Sequence, residues 1–349
     1  MEIRKAQRAG YSTLVVSLPI KWVKEVGVKP GDSLAIAEEQ DGSLRVVPQL
    51  GLKKKGETVC LVNSDLCSEN NLLQKILIGE YVVGHETIQV VSKRPLRPEQ
   101  LEEIREATSK LIGMSVVDQT LNSVTLQSLI DPTKFPIHAS LKRQQAIISA
   151  MFDSIQQAIS ERETRYLKEV GNMEDDVDRL CRLTVRQLIL AAKDREIMKK
   201  VGIETPLDIL GNRVVAKALE EIADSVENIA KDALSPMIGK NVEGAAIKKV
   251  SPLISLTKSV ADNALDAFFR KDVRAGGMAS SAADNAISEC SGVAETISKI
   301  DDKELVIPLR MLLWNLEQVI RNHKTIAEIT INMSLEESTE ISSMVTKEE

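Results

Sequence analysis

"RVVAKALEEIADSVENIAK", residues 213–231, has a diverged copy, "LRMLLWNLEQVIRNHKTIAE", at residues 309–328. In both copies a Leu-Glu pair stands ten positions before an Ile-Ala pair, and an apolar residue follows the Leu by three. Such a repeat predicts a helical array, because each unit buries its apolar face only against a neighbouring unit. The copies differ in charge, since Asp224 of the first corresponds to Arg321 of the second. We therefore expect any ion binding in the first copy, which keeps both Glu220 and Asp224.

Length and composition limit the class of protein. A chain of 349 residues is too long for a single ordinary core and predicts two or three domains. The sequence is 43% hydrophobic but only 3% aromatic, which is typical of Leu, Ile and Ala packing between helices. Its formal charge of -6 is no general signature of nucleic-acid binding, so any contact with DNA has to be local.

The cysteines give no sign of a disulfide framework. Cys60, Cys67, Cys181 and Cys290 form no Cys-x-x-Cys pair, which predicts reduced thiols and no zinc knuckle. The N-terminus has no signal-like apolar core, and no stretch approaches the roughly 20 apolar residues of a membrane span. We expect a cytoplasmic protein without membrane insertion.

The first 48 residues have the pattern of a β-rich module. A β-branched run ends at Pro19, and a short amphipathic helical turn follows it. A Pro-Gly turn at residues 29–32 and the pair Asp41-Gly42 then delimit two further strands. Four short strands and one helical turn bury too little surface for a stable monomer. We therefore expect residues 1–48 to form an obligate homodimer.

This module resembles the AbrB/SpoVT/MazE family of swapped-hairpin DNA-binding modules. The resemblance rests on a basic first strand with Gly10, on "STLVVSLPIKWVKEVGVKPGDSLAI" at residues 12–36, and on Asp-Gly before the last strand. It implies that two chains interleave into one small β-barrel and present basic residues of the N-terminal strand to DNA.

The resemblance assigns the DNA contacts to Arg4, Lys5, Arg8 and Lys21. Residues 1–30 carry six Lys or Arg against two Asp or Glu, a local positive charge on an acidic chain. The alternative is that these side chains are only the solvated face of a dimerisation strand. Some members of the family act as dimerisers or partner-binding caps, so this alternative stays open.

Residues 56–131 alternate between strand and helix patterns. Strand-like runs are "ETVCLV", "ETIQVVS", "MSVVDQT" and "SVTLQSLI", and helical runs cover residues 68–79 and 98–112. The pattern predicts a small α/β domain, which we expect to be ferredoxin-like. No Gly-rich phosphate loop or clustered nucleophile suggests a function. His85 and His138 stand alone in the sequence, and we interpret both as ordinary surface or packing residues.

The pattern from residue 134 to 335 is helical. The predicted helices cover residues 140–162, 164–200, 206–235, 251–272, 279–300 and 303–333. Predicted breaks include Ser235-Pro236 and Gly276-Gly277, and Ser251-Pro252 is a start signal with an N-cap hydroxyl before a proline. Six helices in two threes predict an all-α tandem three-helix bundle. The tail at residues 336–349 is acidic and Ser/Thr-rich, and we expect it to be disordered.

Two pairs of acids in the first repeat are candidate metal ligands. Glu174 and Asp178 lie one turn apart in the second helix, and Glu220 and Asp224 have the same spacing in the third. Four carboxylates repel one another unless a cation lies between them. A set of oxygen donors without His or Cys suits a hard ion such as Mg²⁺, Mn²⁺ or iron.

The alternative is an ordinary solvated helix surface. Acid pairs at this spacing are common, and Glu99 and Glu103 form one in another segment. On a helical wheel Glu220 and Asp224 fall opposite the apolar stripe of their helix, so we expect them on the surface and not in a buried cage. Spacing alone leaves both alternatives open.

The helical region resembles the PhoU family over residues 134–335. PhoU proteins consist of two tandem three-helix repeats, whose second and third helices each carry a Glu/Asp-x-x-x-Asp motif. "EDDVDRL" and "LEEIADSVENIAK" match the two motifs. The resemblance implies that the four carboxylates of the first repeat bind metal at the surface of the bundle.

The second repeat departs from this pattern. Its second helix offers Asp284 followed by Ser288, and its third helix offers Glu317 followed by Arg321. A cation there would lose two ligands and face a guanidinium group. We therefore expect at most one metal site.

Together the two resemblances imply a negative regulator of phosphate uptake and phosphate homeostasis. It would act through a phosphate transporter, a phosphate-sensing protein, or DNA, and needs no catalysis. The alternative is a non-catalytic scaffold that uses both modules for protein contacts alone. A di-metal enzyme is disfavoured, because ferritin-like sites need Glu-x-x-His pairs and none of His85, His138 and His323 has a Glu three residues before it.

Overall fold

The computed structural model describes residues 2–38, 42–48, 59–239, 244–300, 302–336 and 340–343. The chain divides into two compact units, Met1–Thr58 and Val59–Glu349. The first contains short antiparallel strands, and the second contains an α/β part followed by helices. The multidomain fold class expected from the sequence is confirmed.

The first unit contains two separate hairpins and one short helix. Its elements are β1 (Gln7–Ala9), β2 (Thr13–Val15), α1 (Ile20–Val26), β3 (Leu34–Glu38) and β4 (Leu44–Pro48). β1 pairs with β2 and β3 with β4, both antiparallel. Gly10, with a φ of +76°, lies in the tight turn between β1 and β2, in a conformation that side chains rarely allow.

No described residue of the first unit is buried. Leu14 is 72% exposed, Ile36 64% and Leu44 66%. Ile36 pairs with Val46 across the second hairpin, so their side chains share one face of it. Burying apolar surface is favourable by roughly 25 cal/mol per Å². The apolar side chains in the described part of this unit stay exposed to solvent, so they form no core and do not contribute this stabilisation.

The α/β part of the second unit is a four-stranded sheet with two helices. Its elements are β5 (Val59–Asn63), α2 (Leu72–Val83), β6 (Thr87–Val91), α3 (Pro98–Ser109), β7 (Met114–Gln119) and β8 (Ser123–Ser128), with a 3₁₀ turn at Ser64–Leu66. The strand order is β5-β6-β8-β7, in which only β5 and β6 are parallel. The ferredoxin-like topology expected from the sequence is wrong. That topology requires a third strand directly after the second, whereas here the helix α3 follows β6.

The two helices cover one face of this sheet. Val62, Ile88, Val90 and Leu126 are buried there, in the same core as residues of α2 and α3. Alternate residues of a strand point to opposite faces, so Cys60 shares the covered face with Val62. Leu61 points to the other face and is 66% exposed.

The remaining helices form two triplets with one continuous core. After a 3₁₀ turn at Pro132–Lys134 come α4 (Ile137–Glu161), α5 (Arg165–Lys193), the short α6 (Arg195–Lys200) and α7 (Pro206–Asn228). A π-helical segment, Ile229–Leu234, and α8 (Ser235–Gly239) extend α7. The second triplet is α9 (Gly244–Arg270), α10 (Val273–Ile297) and α11 (Lys303–Ser334). None of the described helices is both long and apolar enough to cross a membrane.

Three local sequence signals do not mark helix ends. Ser235 and Pro236 are helical, since α8 continues from the π-helical segment. Pro252 lies inside α9, next to the buried residues Val250 and Leu253. The burial of apolar side chains outweighs the local start signal, as tertiary packing commonly does.

The glycine pair at residues 276 and 277 lies inside α10, because Asp272 caps that helix by accepting a hydrogen bond from the backbone N–H of Ala275. A Cβ atom at Gly276 would lie 3.1 Å from the carbonyl oxygen of Ala327. The glycine therefore allows α10 to approach α11 closely and does not break the helix. Other expectations concern residues outside the described ranges: Asp41 of the predicted Asp-Gly turn, Asp301 at the predicted break before the last helix, and the tail residues 337–339 and 344–349.

A buried cation joins α5 to the α/β part. Arg186, 1% exposed, donates hydrogen bonds to the carbonyls of Tyr81 and, at 3.0 Å, of His85. Its guanidinium group lies 4.7 Å from the ring centroid of Tyr81. On the surface beside it, Lys193 donates to the carbonyl of Val83 at 2.7 Å. The last carbonyls of a helix lack intrahelical partners and attract cations, so α5 caps the C-terminus of α2.

Candidate metal centre and DNA-binding strand

Three of the four predicted carboxylates converge where α5 packs against α7. One oxygen of each of Glu174, Asp178 and Asp224 lies within 4.8 Å of the others. Both helices contribute, because residues four apart share a helix face and the two faces meet. The fourth carboxylate, Glu220, is close enough for its charge to raise the pKa of both Asp178 and Asp224.

The helical wheel placed the α7 pair too far from the interior. Ala216 and Ala223 are buried as well as the apolar stripe, because α7 packs against α4, α5 and α11. Alanine adds little to a hydrophobicity pattern, so the buried face is wider than the stripe. Glu220 and Asp224 are consequently half-buried at the contact with α5 and do not lie on an open surface.

Cations of the same helices offset part of the negative charge. Arg182 pairs with Asp178 one turn away, and Lys217 pairs with Glu220. The charge of Lys217 also lowers the pKa of Asp224, whereas the charges that shift the pKa of Glu174 are those of other carboxylates.

The electrostatics of the cluster favour uptake of positive charge. Burial, and then the charges of Asp178 and Asp224, raise the pKa of Glu174 to about 8. The pKa values of Asp178 and Asp224 are also raised, in both cases mainly by burial. Such shifts mean that the ionised carboxylates are under-compensated in the folded chain. A hard cation would supply the missing charge, and the oxygen donors fit one.

Sequence reasoning missed one further acid at this site. The charge of Glu227 contributes to the raised pKa of Glu174, and its carboxylate lies close to Gly171 of α5. Glu227 lies seven residues, about two turns, after Glu220 on α7, and that spacing was the available signal. The π-helical segment begins two residues later, and such segments are frequent at functional sites.

The corresponding positions of the second repeat carry their own cations. Arg321 pairs with Glu317, and Nζ of Lys324 lies 2.7 Å from a carboxylate oxygen of Asp284. The hydroxyl of Ser288 donates to the carbonyl of Asp284 in its own helix. Both acids of the second repeat, Asp284 and Glu317, are thus paired with a cation of the protein, where the first repeat has a carboxylate cluster.

The predicted DNA-binding residues are exposed, but only one of them lies in a strand. Arg8 is in β1, Arg4 and Lys5 precede it, and Lys21 is in the first turn of α1. Lys21 lies in the helical turn expected after Pro19, whereas Arg4 and Lys5 lie just before the first strand. Arg4 pairs with Glu2, Arg8 donates to the carbonyl of Tyr11 at 3.0 Å, and Lys21 lies 4.0 Å from Glu25. Exposed contacts of this kind contribute little and can be exchanged for phosphate.

The structure also brings together Cys60, Glu80 and His85, which sequence reasoning did not connect. Their ligand atoms lie within 4.8 Å of one another, and all three residues are half-buried. Burial, and then the hydrogen bond and charge of Glu80, raise the pKa of the Cys60 thiol to about 11. The sequence had suggested that His85 stands alone, but in the structure it lies next to Cys60 and Glu80.

Two protein families match the sequence. The family described as "PhoU domain" matches residues 141–233, from α4 into the π-helical segment. The family described as "Antidote-toxin recognition MazE, bacterial antitoxin" matches residues 7–55. No individual curated protein matches the sequence significantly. The second helical triplet lies outside both matches.

Proposed function

Because the chain combines a PhoU domain with an N-terminal MazE-type domain, we propose that it regulates phosphate uptake and intracellular phosphate homeostasis as a negative regulator that contacts DNA. The two matches on one chain are the observation that carries the proposal. Both families are regulatory and non-catalytic, so the chain needs no substrate of its own. Its partners would be DNA and a phosphate transporter or phosphate-sensing protein.

We further propose that the carboxylate cluster binds a metal ion. Glu174, Asp178, Glu220 and Asp224 would hold Mg²⁺, Mn²⁺ or iron, because all of their donors are oxygen atoms. The ion would neutralise the repulsion between α5 and α7. The raised pKa of Glu174 supports this assignment, since burial and the neighbouring carboxylates disfavour its negative charge when no cation is bound.

Removing the protein from its cells tests the regulatory role. Cells without it are expected to continue taking up phosphate when external phosphate is abundant, which uptake of labelled phosphate measures. Restoring the full chain should restore the restraint. Uptake that is the same with and without the protein would contradict the proposal.

The first unit is proposed to act as a homodimer. We expect the segment 1–48 to sediment as a folded dimer at micromolar concentration, because a second copy would cover its exposed apolar face. Ile36→Asp should abolish the dimer, since it adds a charge to the face that Leu44 and Val46 share. Ala37→Asp, on the opposite face and across from Arg45, is the matched control and should leave it intact. A folded monomer at that concentration would contradict the proposal.

DNA binding is proposed to depend on the N-terminal cations. Changing Arg4, Lys5 and Arg8 together to Ala should weaken binding and flatten its dependence on salt. Each lost phosphate contact lowers the slope of log affinity against log salt by roughly 0.9. Binding of genomic DNA fragments across a salt series measures this slope. The same loss of charge at Lys168, Lys199 and Lys200, which are exposed on the helical bundle, should leave it unchanged.

The alternative function is a scaffold that binds a transporter or sensor without touching DNA. The ion pair of Arg4 with Glu2 is compatible with this alternative, because it uses the cation within the module. An unchanged salt slope in the triple variant would favour the scaffold. The dimer prediction holds for both functions and does not distinguish them.

A further inference from the structure

A mixed-donor cluster lies at the junction between the α/β part and α5, away from the carboxylates of the bundle. Cys60 comes from the edge strand β5, Glu80 from the last turn of α2, and His85 from the residue after the glycine that ends α2. The cluster thus combines a thiol, a carboxylate and an imidazole from two elements that are adjacent in space.

The backbone at the end of α2 fixes the positions of Glu80 and His85. The N–H of His85 donates to the carbonyl of Glu80 at 3.2 Å, and the N–H of Gly84 to that of Tyr81 at 3.0 Å. With Gly84 at a φ of +110°, this is a Schellman motif. The two residues joined by the longer bond of that motif commonly make a hydrophobic contact. Here these two residues are Glu80 and His85, which are potential metal ligands and not apolar residues.

Further contacts hold the motif in place. Arg186 of α5 donates to the carbonyl of His85 at 3.0 Å, which anchors the residue from the other side. A Cβ atom at Gly84 would lie 2.7 Å from Leu190 of α5, so the turn is also tightly packed. A site whose ligands are held before binding loses little freedom when it binds.

One ring nitrogen of His85, the buried Nδ1, forms no hydrogen bond within the described part of the chain. This nitrogen lies 2.7 Å from a carboxylate oxygen of Glu80, but the contact does not have hydrogen-bond geometry. No other described residue hydrogen-bonds to this buried atom. An unpaired buried polar atom costs roughly 1–3 kcal/mol, so such atoms are normally paired.

We propose that Cys60, Glu80 and His85 bind a zinc ion, with one coordination position left for water or for a ligand from outside the chain. Zinc accepts sulfur, nitrogen and carboxylate oxygen in one tetrahedral site, and three protein ligands leave one position open. Sulfur and nitrogen donors separate this site from the oxygen cluster of the bundle, which suits harder ions. The ion would tie the edge strand β5 to the end of α2, beside the contact with α5. The proposal does not depend on a role in phosphate control.

Cobalt substitution in the full-length protein tests the site, because Co²⁺ bound to a thiolate gives a charge-transfer absorption that oxygen ligands do not give. Metal-free, reduced protein titrated with Co²⁺ is expected to develop this band with one equivalent per chain, and Zn²⁺ should abolish it. Cys60→Ser should eliminate the band. His85→Gln should weaken Co²⁺ and Zn²⁺ binding at least about tenfold, because even residues that only orient a ligand have effects of 10–100-fold.

The chain offers matched controls for this experiment. Cys67→Ser changes another thiol of the same domain, which donates to the carbonyl of Asn63, and should keep the band. Asp178→Asn alters the oxygen cluster of the bundle and should also keep it. Circular dichroism checks that each variant is folded, and His85→Gln changes a partly exposed side chain outside the sheet. A wild-type protein without the band, or a Cys60→Ser protein with the same band, would overturn the proposal.

Discussion

Asp178→Asn and Asp224→Asn are each expected to remove most of the stability that a bound cation gives the folded protein. A ligand present at 100 times its dissociation constant stabilises the state that binds it by about 2.7 kcal/mol. Each substitution removes a charged oxygen from the cluster between α5 and α7. Urea unfolding with and without Mg²⁺, Mn²⁺ or iron measures the loss, and elemental analysis of the purified variants should show less bound metal.

The second repeat supplies the matched controls for this experiment. Ser288→Ala and Arg321→Ala should change stability equally with and without metal, because the ion pairs of that repeat involve only groups of the protein. Equal shifts with and without metal at all four positions would show that the acids of the first repeat are an ordinary part of the helix surface. The metal assignment would then be wrong.

Without metal the same cluster should make stability depend on pH. The pKa of Glu174 is raised from 4.5 to about 8 in the folded chain, so the native state holds a proton that the unfolded chain releases. The free energy of unfolding should therefore fall as the pH rises from about 4.5 to about 8. Glu174→Gln should reduce this fall, because the amide does not titrate. Urea unfolding at several pH values in metal-free buffer measures it.

Arg186→Met is expected to lower the free energy of unfolding by about 2–4 kcal/mol, the second large effect. The side chain of Arg186 is the largest fully buried one among the described residues. Its guanidinium group donates hydrogen bonds to the carbonyls of both Tyr81 and His85. Methionine fills a similar volume but leaves these carbonyls without a donor. The loss is partly offset, because a buried cation is itself costly, as its lowered pKa indicates. Urea unfolding of the full chain measures the change.

Lys193→Met is the matched control, since it removes a cation from the same helix end. Lys193 is exposed and donates to the carbonyl of Val83. Without Lys193, a water molecule can donate to that carbonyl in its place. Its loss should change stability by less than about 0.5 kcal/mol. Equal effects of the two variants would mean that burial of Arg186 contributes nothing and that only the charge at the end of α2 matters.

The sequence pattern predicts the elements better than their arrangement. The alternation in residues 59–128 identifies the strands and helices in their correct order. It says nothing about which strands pair, and the expected topology failed on that point. In the bundle, the periodicity of apolar residues is strong enough to identify every long helix. Local signals such as Pro252 mislead, because burial of the neighbouring side chains determines where a helix begins.

The candidate sites show the same limit. Glu174 and Asp224 can be selected from spacing because each belongs to a pair on one helix. The depth of the pair on α7 depends on three neighbouring helices, which a wheel of one helix omits. Cys60 and His85 belong to different elements, so only the parallel pairing of β5 with β6 and the turn after α2 bring them together. No periodic pattern in the sequence could have predicted that Cys60 and His85 lie close together.

The ion pairs of Arg321 and Lys324 neutralise Glu317 and Asp284 within the second helical triplet. In the other half of the bundle Arg182 and Lys217 offset only part of the negative charge, and we propose that a cation from solution supplies the rest. On the proposed assignment, a change in the concentration of dissolved cations would alter the stability of the first triplet and leave the second unchanged. Because the two triplets share a single core, the proposed ion would change the packing of one half against a copy that lacks the carboxylate cluster.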